Sequence, residues 1–241
     1  MCLLLVAWKL HPRHDLVLAT NRDEQHDRAT AELEHWADLP GVAGGRDQVA
    51  GGTWLAMHRD GRFAAVTNYR DSRTAPAGGA SRGELITRYL SWSASPGEFL
   101  QGLSGEAGKF AGFNLLLGDD AELWYASNRT PHFARLLPPG IFGLSNDLLD
   151  TRWPKVETGI AAMRAHVDSG SDDAGPLFAA LASQDSTPST LPWPASSGPF
   201  IANDRFGTRA CSLLRREPGV AAHLEERRYG PMGKPEGMTG L

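Results

Sequence analysis

The run Cys2-Leu3-Leu4-Leu5-Val6-Ala7-Trp8 is apolar at every position, and Leu16-Val17-Leu18-Ala19 repeats the pattern after His11-Pro12-Arg13-His14-Asp15. A strand with one wet face alternates apolar and polar residues; an unbroken apolar run needs burial on both faces. The two segments therefore read as a hairpin in the middle of a layered fold. The first run has no basic segment before it and is interrupted by Lys9, His11, Pro12 and Arg13. It is too short for a signal peptide and far short of the roughly 20 residues that span a bilayer.

A polar stretch from Gln25 to Gly45 follows, and then Thr53 to His58 and Arg62 to Asn68 flank Arg59-Asp60-Gly61, a second hairpin marked by its Asp-Gly. Ser81 with Glu84 and Ser95 with Glu98 have capping-box spacing, and Pro96 stands at a first helical position. Two short helices are expected there, with apolar stripes at Leu85, Ile86, Tyr89, Leu90 and at Phe99, Leu100, Leu103. Phe113 to Leu117, Glu122 to Ala126 and Ile141 to Leu144 form a second block of strands. The spacing of Val156, Ile160, Met163 and Val167 predicts a helix from Trp153-Pro154 to just before Ser169-Gly170, with a shorter one around Leu177, Phe178 and Leu181. Gln184 to Pro199, rich in Ser, Thr and Pro, reads as a loop, and Phe200 to Asn203, Arg209 to Arg215 and Val220 to Glu225 as final strands. Strands and helices in blocks imply an α+β sandwich with sheets inside and helices outside. No composition break divides the chain, so residues 1–229 are expected to be one domain and residues 230–241 a mobile tail with little to bury.

A formal net charge of −4 gives no electrostatic reason for nucleic acid or an anionic membrane as partner. The two cysteines, Cys2 and Cys211, fit neither a disulfide framework nor a zinc site, which points to a reducing cytoplasm. The histidines include no HExxH, and His11 with His14 has no evident third ligand, so no metal is expected. Gly51-Gly52-Thr53 lacks the Lys-Ser/Thr of a phosphate loop.

The chemistry centres on Cys2. If Met1 is removed, one residue carries both a thiol, of pKa about 8.5, and an α-amine, of pKa about 7.7–8.0, so the amine takes the thiol proton and no histidine is needed. The bland alternative is a small apolar residue opening a buried strand. Asn21-Arg22-Asp23-Glu24 stands at the end of the second strand, where hairpin geometry brings it near Cys2. An Arg there favours a thiolate and a carboxylate orients an ammonium, although neighbouring strand residues face opposite ways, so the carboxylate is either Asp23 or Glu24. A surface turn with a local ion pair is the alternative.

Met1-Cys2, Asn21-Arg22-Asp23-Glu24, Gly51-Gly52-Thr53-Trp54, Asn68-Tyr69-Arg70, Gly143-Leu144-Ser145-Asn146 and Gly207-Thr208-Arg209 occur in this order. Together they resemble the NRDE family, also called the transport and Golgi organisation family, which is similar to the N-terminal nucleophile (Ntn) hydrolases of the penicillin V acylase and bile salt hydrolase branch. The resemblance implies a four-layer αββα sandwich. It also implies Cys2 as nucleophile, Arg22 and Asp23 as its supporters, Asn68 and Asn146 as oxyanion or orienting groups and Arg209 as a late pocket Arg.

Three functions follow as expectations. The first is hydrolysis of a non-peptide amide of a small molecule through a Cys2 thioester, with no cofactor. The second, implied by the family, is a carrier of haem or of acyl-CoA or lipid in intracellular trafficking; no Cys-x-x-Cys-His is present, which rules out covalent haem and leaves loosely held haem open. The third is an interaction scaffold.

Overall fold

The computed structural model describes residues 2–71, 79–184 and 198–241. Its contacts group the chain into two compact units: Met1–Arg28, Pro139–Ser145 and Leu149–Leu241 form one, Ala29–Pro138 and Asn146–Leu148 the other. Neither is continuous in sequence, and no composition break marks their limits.

The first unit is built on the expected hairpin. β1 (Leu4–Trp8) pairs antiparallel with β2 (Leu16–Gln25), Leu4 opposite Thr20 and Trp8 opposite Leu16. Every residue of β1 is buried, as an unbroken apolar run requires. With β10 (Gly140–Leu144), β11 (Phe206–Arg216), β12 (His223–Tyr229) and β13 (Pro235–Gly240) they make a six-stranded antiparallel sheet in the order β10-β1-β2-β11-β12-β13. Leu3, Leu5, Ala7, Val17 and Ala19 face Val156 and Met163 of α3 (Pro154–Ser169) and Leu177, Phe178 and Leu181 of α4 (Gly175–Leu181). α3 sits very close to the sheet: a Cβ on Gly159 would lie 2.7 Å from Leu5 Cδ2, and one on Gly143 2.6 Å from Val156 Cγ1.

The second unit is a seven-stranded antiparallel sheet in simple sequence order: β3 (Thr30–His35), β4 (Val42–Asp47), β5 (Leu55–His58), β6 (Phe63–Asn68), β7 (Phe113–Gly118), β8 (Leu123–Ser127) and β9 (Ala134–Leu136). One face carries α1 (Glu84–Leu90) and α2 (Pro96–Ser104), whose Leu85, Ile86, Tyr89, Phe99, Leu100 and Leu103 pack on Val42, Ala56, Ala64, Leu115 and Leu117. Each unit thus contributes one sheet layer and one helix layer, and the chain is α+β.

Several expectations are corrected. Asn21 to Glu24 do not follow the second strand but lie inside it, because β11 continues the pairing to Gln25. The polar stretch after Gln25 holds β3 and β4; β3 is an edge strand with Leu33 its one buried residue, so it shows no apolar run. Only the second capping box forms: Glu98 N donates to Ser95 Oγ, and Ser95 N to the Glu98 carboxylate. α1 begins after Gly83 instead, where the chain is drawn against Gly52, whose hypothetical Cβ would lie 2.5 Å from the Gly83 carbonyl carbon. Phe200 to Asn203 is no strand; Ile201 bonds both ways to Thr208, its N–H to Oγ1 and its carbonyl to the Thr208 N–H. Residues 230–241, expected as a tail, carry β13, which pairs along β12 while burying little. Most of the loop expected at Gln184 to Pro199 lies outside the described residues.

Candidate functional site

Cys2 stands just before β1 and is half-buried. Its carbonyl accepts a hydrogen bond of 2.7 Å from Ser145 Oγ, and Asn21 N–H donates to the next carbonyl, that of Leu3, at 2.8 Å. Continuing the β1–β2 register sets Cys2 across from Arg22, itself buried. The other thiol differs in kind. Cys211 is fully enclosed in β11, and burial pushes its pKa far up, so it carries no thiolate at neutral pH.

Because β2 stays extended through its polar residues, Arg22 and Asp23 leave it on opposite faces. Asp23 is the buried carboxylate, at 7% exposure. Glu24 turns to the rim, accepting from the backbone N–H of Gln25. Asp23 Oδ1 accepts from Thr208 Oγ1 at 2.6 Å, the length of a charge-assisted bond. Burial drives the Asp23 pKa upward, opposed by the positive charge of the chain's N-terminus, then by the Thr208 bond and the charge of Lys155.

Lys155 was not singled out from sequence. It lies in the first turn of α3, is 3% exposed and holds Nζ 5.6 Å from the Trp153 ring centroid. Burial lowers its pKa, while Asp23 and Cys2 raise it. One helical turn further on, Gly159 touches Leu5, so the same face of α3 presents Lys155 to the β1 end that carries Cys2. The only sequence signal is a Lys one residue before the apolar stripe of a sheet-packed helix. Ser145 and Thr208 fell inside motifs, but neither received a role.

The other expected residues lie as follows. Asn68 ends β6 and is exposed, and Asn146 is buried. These two meet within the second unit: the Asn146 side-chain amide donates to the Asn68 carbonyl at 2.8 Å, and the Asn146 carbonyl accepts from Arg70 N–H. Buried Asn114 holds the adjacent residue, donating to the Asp147 carbonyl at 2.9 Å. Arg209 points past the end of β2, where its Nη1 meets the carbonyls of Gln25, His26 and Arg28 at 3.0–3.2 Å. Among the described residues no group of three or more His, Cys, Asp or Glu side chains is arranged to hold a metal ion, and no helix is long and apolar enough to cross a membrane.

Among solved structures, the chain is similar to the C2A mutant of the conjugated bile acid hydrolase from Clostridium perfringens, with TM-score 0.59 and 10% identity over all of this chain and 92% of that one. It is also similar to the Caenorhabditis elegans ortholog of N-acylethanolamine-hydrolyzing acid amidase, with TM-score 0.52 and 11% identity over 91% and 94% of the two chains. At such identities the likeness speaks for the fold, which is that of the Ntn hydrolases. Curated relatives include the transport and Golgi organization protein 2 homologs of Bos taurus, 34% identical over 70% of this chain and 66% of the relative, and of Mus musculus, 33% identical over 65% and 60%. The Drosophila melanogaster protein of that name is 26% identical over 95% and 84%. The chain spans less than two thirds of the length of the mammalian relatives it matches. Residues 1–230 match the family described as Transport and Golgi organisation 2, and the chain belongs to that family.

Proposed function

We propose that the chain is an N-terminal-nucleophile amidohydrolase that cleaves a non-peptide amide of a small molecule. The observation that carries this reading is the contrast between its two thiols: Cys211 is sealed in the core, whereas Cys2 is half-open at the head of β1, across from Arg22, the residue that precedes buried Asp23 on β2. Removal of Met1 makes the Cys2 nitrogen an α-amine. The amine takes the thiol proton, the thiolate adds to the amide carbonyl, and collapse of the adduct forms the thioester and expels the amine, which leaves with that proton. Water then loses a proton to the α-amine, attacks the thioester and releases the acid, restoring the thiol. Arg22 favours the thiolate and Asp23 orients the amine. Asn68 and Asn146 are assigned to oxyanion stabilisation or orientation, and Arg209 to support of the β2 end rather than to the pocket. No cofactor enters these steps, and two unpaired cysteines suit a cytoplasmic setting.

The probes are an N-acylethanolamine and a conjugated bile acid, chosen from what the two structural neighbours are named for. Intact mass should show Met1 absent, and incubation should leave an acyl mass on wild-type protein and none on Cys2→Ala. Retained Met1, or hydrolysis unchanged in Cys2→Ala, overturns the reading. The family description, with its word transport, favours a second reading as a carrier of haem or of acyl-CoA or lipid. That reading predicts a Soret band on haem titration or stoichiometric retention of acyl-CoA, indifferent to Cys2→Ala and without turnover.

A further inference from the structure

We propose that Lys155 is a positioning residue for the Cys2 centre, a buried cation from α3 that cancels the field of Asp23 and so keeps both the thiol and the α-amine of Cys2 easy to deprotonate. The proposal rests on the reading of Cys2 as an N-terminal nucleophile.

A carboxylate that orients an α-amine also holds it as the ammonium and opposes a thiolate beside it. Asp23 alone would therefore orient the base while weakening it as a base. Lys155 resolves the conflict. It is buried, it lies on the face of α3 that packs on β1, and Asp23 and Cys2 both act on its charge. A lysine taken out of water to this degree requires a compensating anion, and Asp23 is one. The titratable groups on this face are Asp23 from β2 and Cys211 from β11, which burial keeps as the neutral thiol; Arg22 leaves β2 on the other face, with Cys2 across from it at the head of β1. With the charge of Lys155 offsetting that of Asp23, the Arg22 guanidinium across from Cys2 acts against less opposition.

The test uses the full chain and the rate of alkylation by iodoacetamide as a function of pH. Cys211 is sealed and does not react, so the rate reads Cys2 alone. Lys155→Met should move the midpoint of the rate profile to higher pH, slowing alkylation at neutral pH about tenfold, the effect of one unit of pKa. Lys155→Gln, which keeps a polar group at the site and so protects the fold, should move it the same way, and Lys155→Arg should restore it. A purely structural lysine lowers the melting temperature and leaves the midpoint in place; an unmoved midpoint in folded Lys155→Gln overturns the proposal, as does a Cys2 that never alkylates. Intact mass on the same samples separates the two ideas. Retained Met1 sinks the nucleophile reading whatever the midpoint does, whereas an unmoved midpoint with Met1 removed sinks only the role of Lys155.

Discussion

Replacing Thr208 by Val keeps the shape of the side chain and removes its hydroxyl. That hydroxyl donates to Asp23 Oδ1 at 2.6 Å and accepts from the Ile201 N–H at 2.9 Å, in a side chain with no exposed surface. A bond to a carboxylate contributes about 1.5–3 kcal/mol, and stranding a buried N–H costs about 1–3 kcal/mol. Because the two losses share one site and relax together, we expect about 3 kcal/mol for Thr208→Val. For a chain of this size each kcal/mol lowers the melting temperature by roughly 2–4 °C, so the transition should fall by about 6–12 °C. Thr208→Ser keeps both hydrogen bonds and loses one methyl, about 1 kcal/mol. Thermal unfolding followed by tryptophan fluorescence compares the two variants. Should Val and Ser melt within about 2 °C of each other, the hydroxyl is not what holds Asp23, and the account of the site built on that bond is wrong.

His11, His14 and His166 form a buried stack, with ring centroids of His11 at 4.8 Å from His14 and 5.3 Å from His166. His11 Nδ1 accepts the N–H groups of Arg13 and His14, so protonating it breaks both bonds, and burial followed by neighbouring positive charge lowers the pKa of His11 and of His166. With folded pKa values below the unfolded one, their contribution is intact above about pH 6.5 and is lost as the pH falls further. Wild type should therefore lose stability between pH 6.5 and 5 relative to His166→Leu, a difference in which the opposite effect of Asp23 cancels; parallel urea-unfolding curves for the two proteins would refute this. Arg209→Ala should cost about 1–2 kcal/mol by urea unfolding while leaving the alkylation profile of Cys2 in place, since its guanidinium serves backbone carbonyls; a displaced profile would return Arg209 to the pocket. Buried Arg216 forms a bidentate pair with Asp15 at 2.9 and 3.0 Å over the Trp8 ring. Asp15→Asn should cost about 3–5 kcal/mol, and the double variant Asp15→Leu/Arg216→Met less than that single one, because the first strands a charge and the second removes it. The reverse order in calorimetry would count against the pair being held in a dry site.

What could be read in the sequence is what local periodicity encodes. The β1–β2 hairpin followed from unbroken apolar runs, α3 from its stripe and Pro154, and α2 from a capping box that forms. Failures arose where a distant contact decides. Ser81 has the same spacing as Ser95, yet the Gly52–Gly83 approach sets the start of α1. Edge strand β3 buries Leu33 alone and so carries no apolar pattern. In the site, Cys2, Arg22 and Asp23 were visible as residue types in order, but the end of β2 was misplaced because β11, the strand that extends it, lies about 185 residues away in sequence. Lys155 was invisible for a different reason: a lysine in the first turn of a helix is ordinarily solvated, and only the packing of α3 on β1 buries it.

The pairing of β2 with β11 explains why the right residue types take unexpected roles. Counting back from Cys211 opposite Asn21 and Ala210 opposite Arg22, a regular ladder would set Arg209 opposite Asp23 on the same face, as an ion pair. The ladder is not regular. Thr208 pairs with Asp23, so Arg209 is the extra residue of a bulge. The bulge turns its guanidinium out to the carbonyls past the end of β2 and brings a hydroxyl, not a cation, to the carboxylate. Asp23 lies on the face of β2 that α3 covers, and that helix begins at Pro154 with Lys155 the next residue. One inserted residue in a late strand thus transfers the bond to Asp23 from a guanidinium to a hydroxyl. A sequence motif cannot reveal that transfer, because it records the order of residues and not the register in which two distant strands meet.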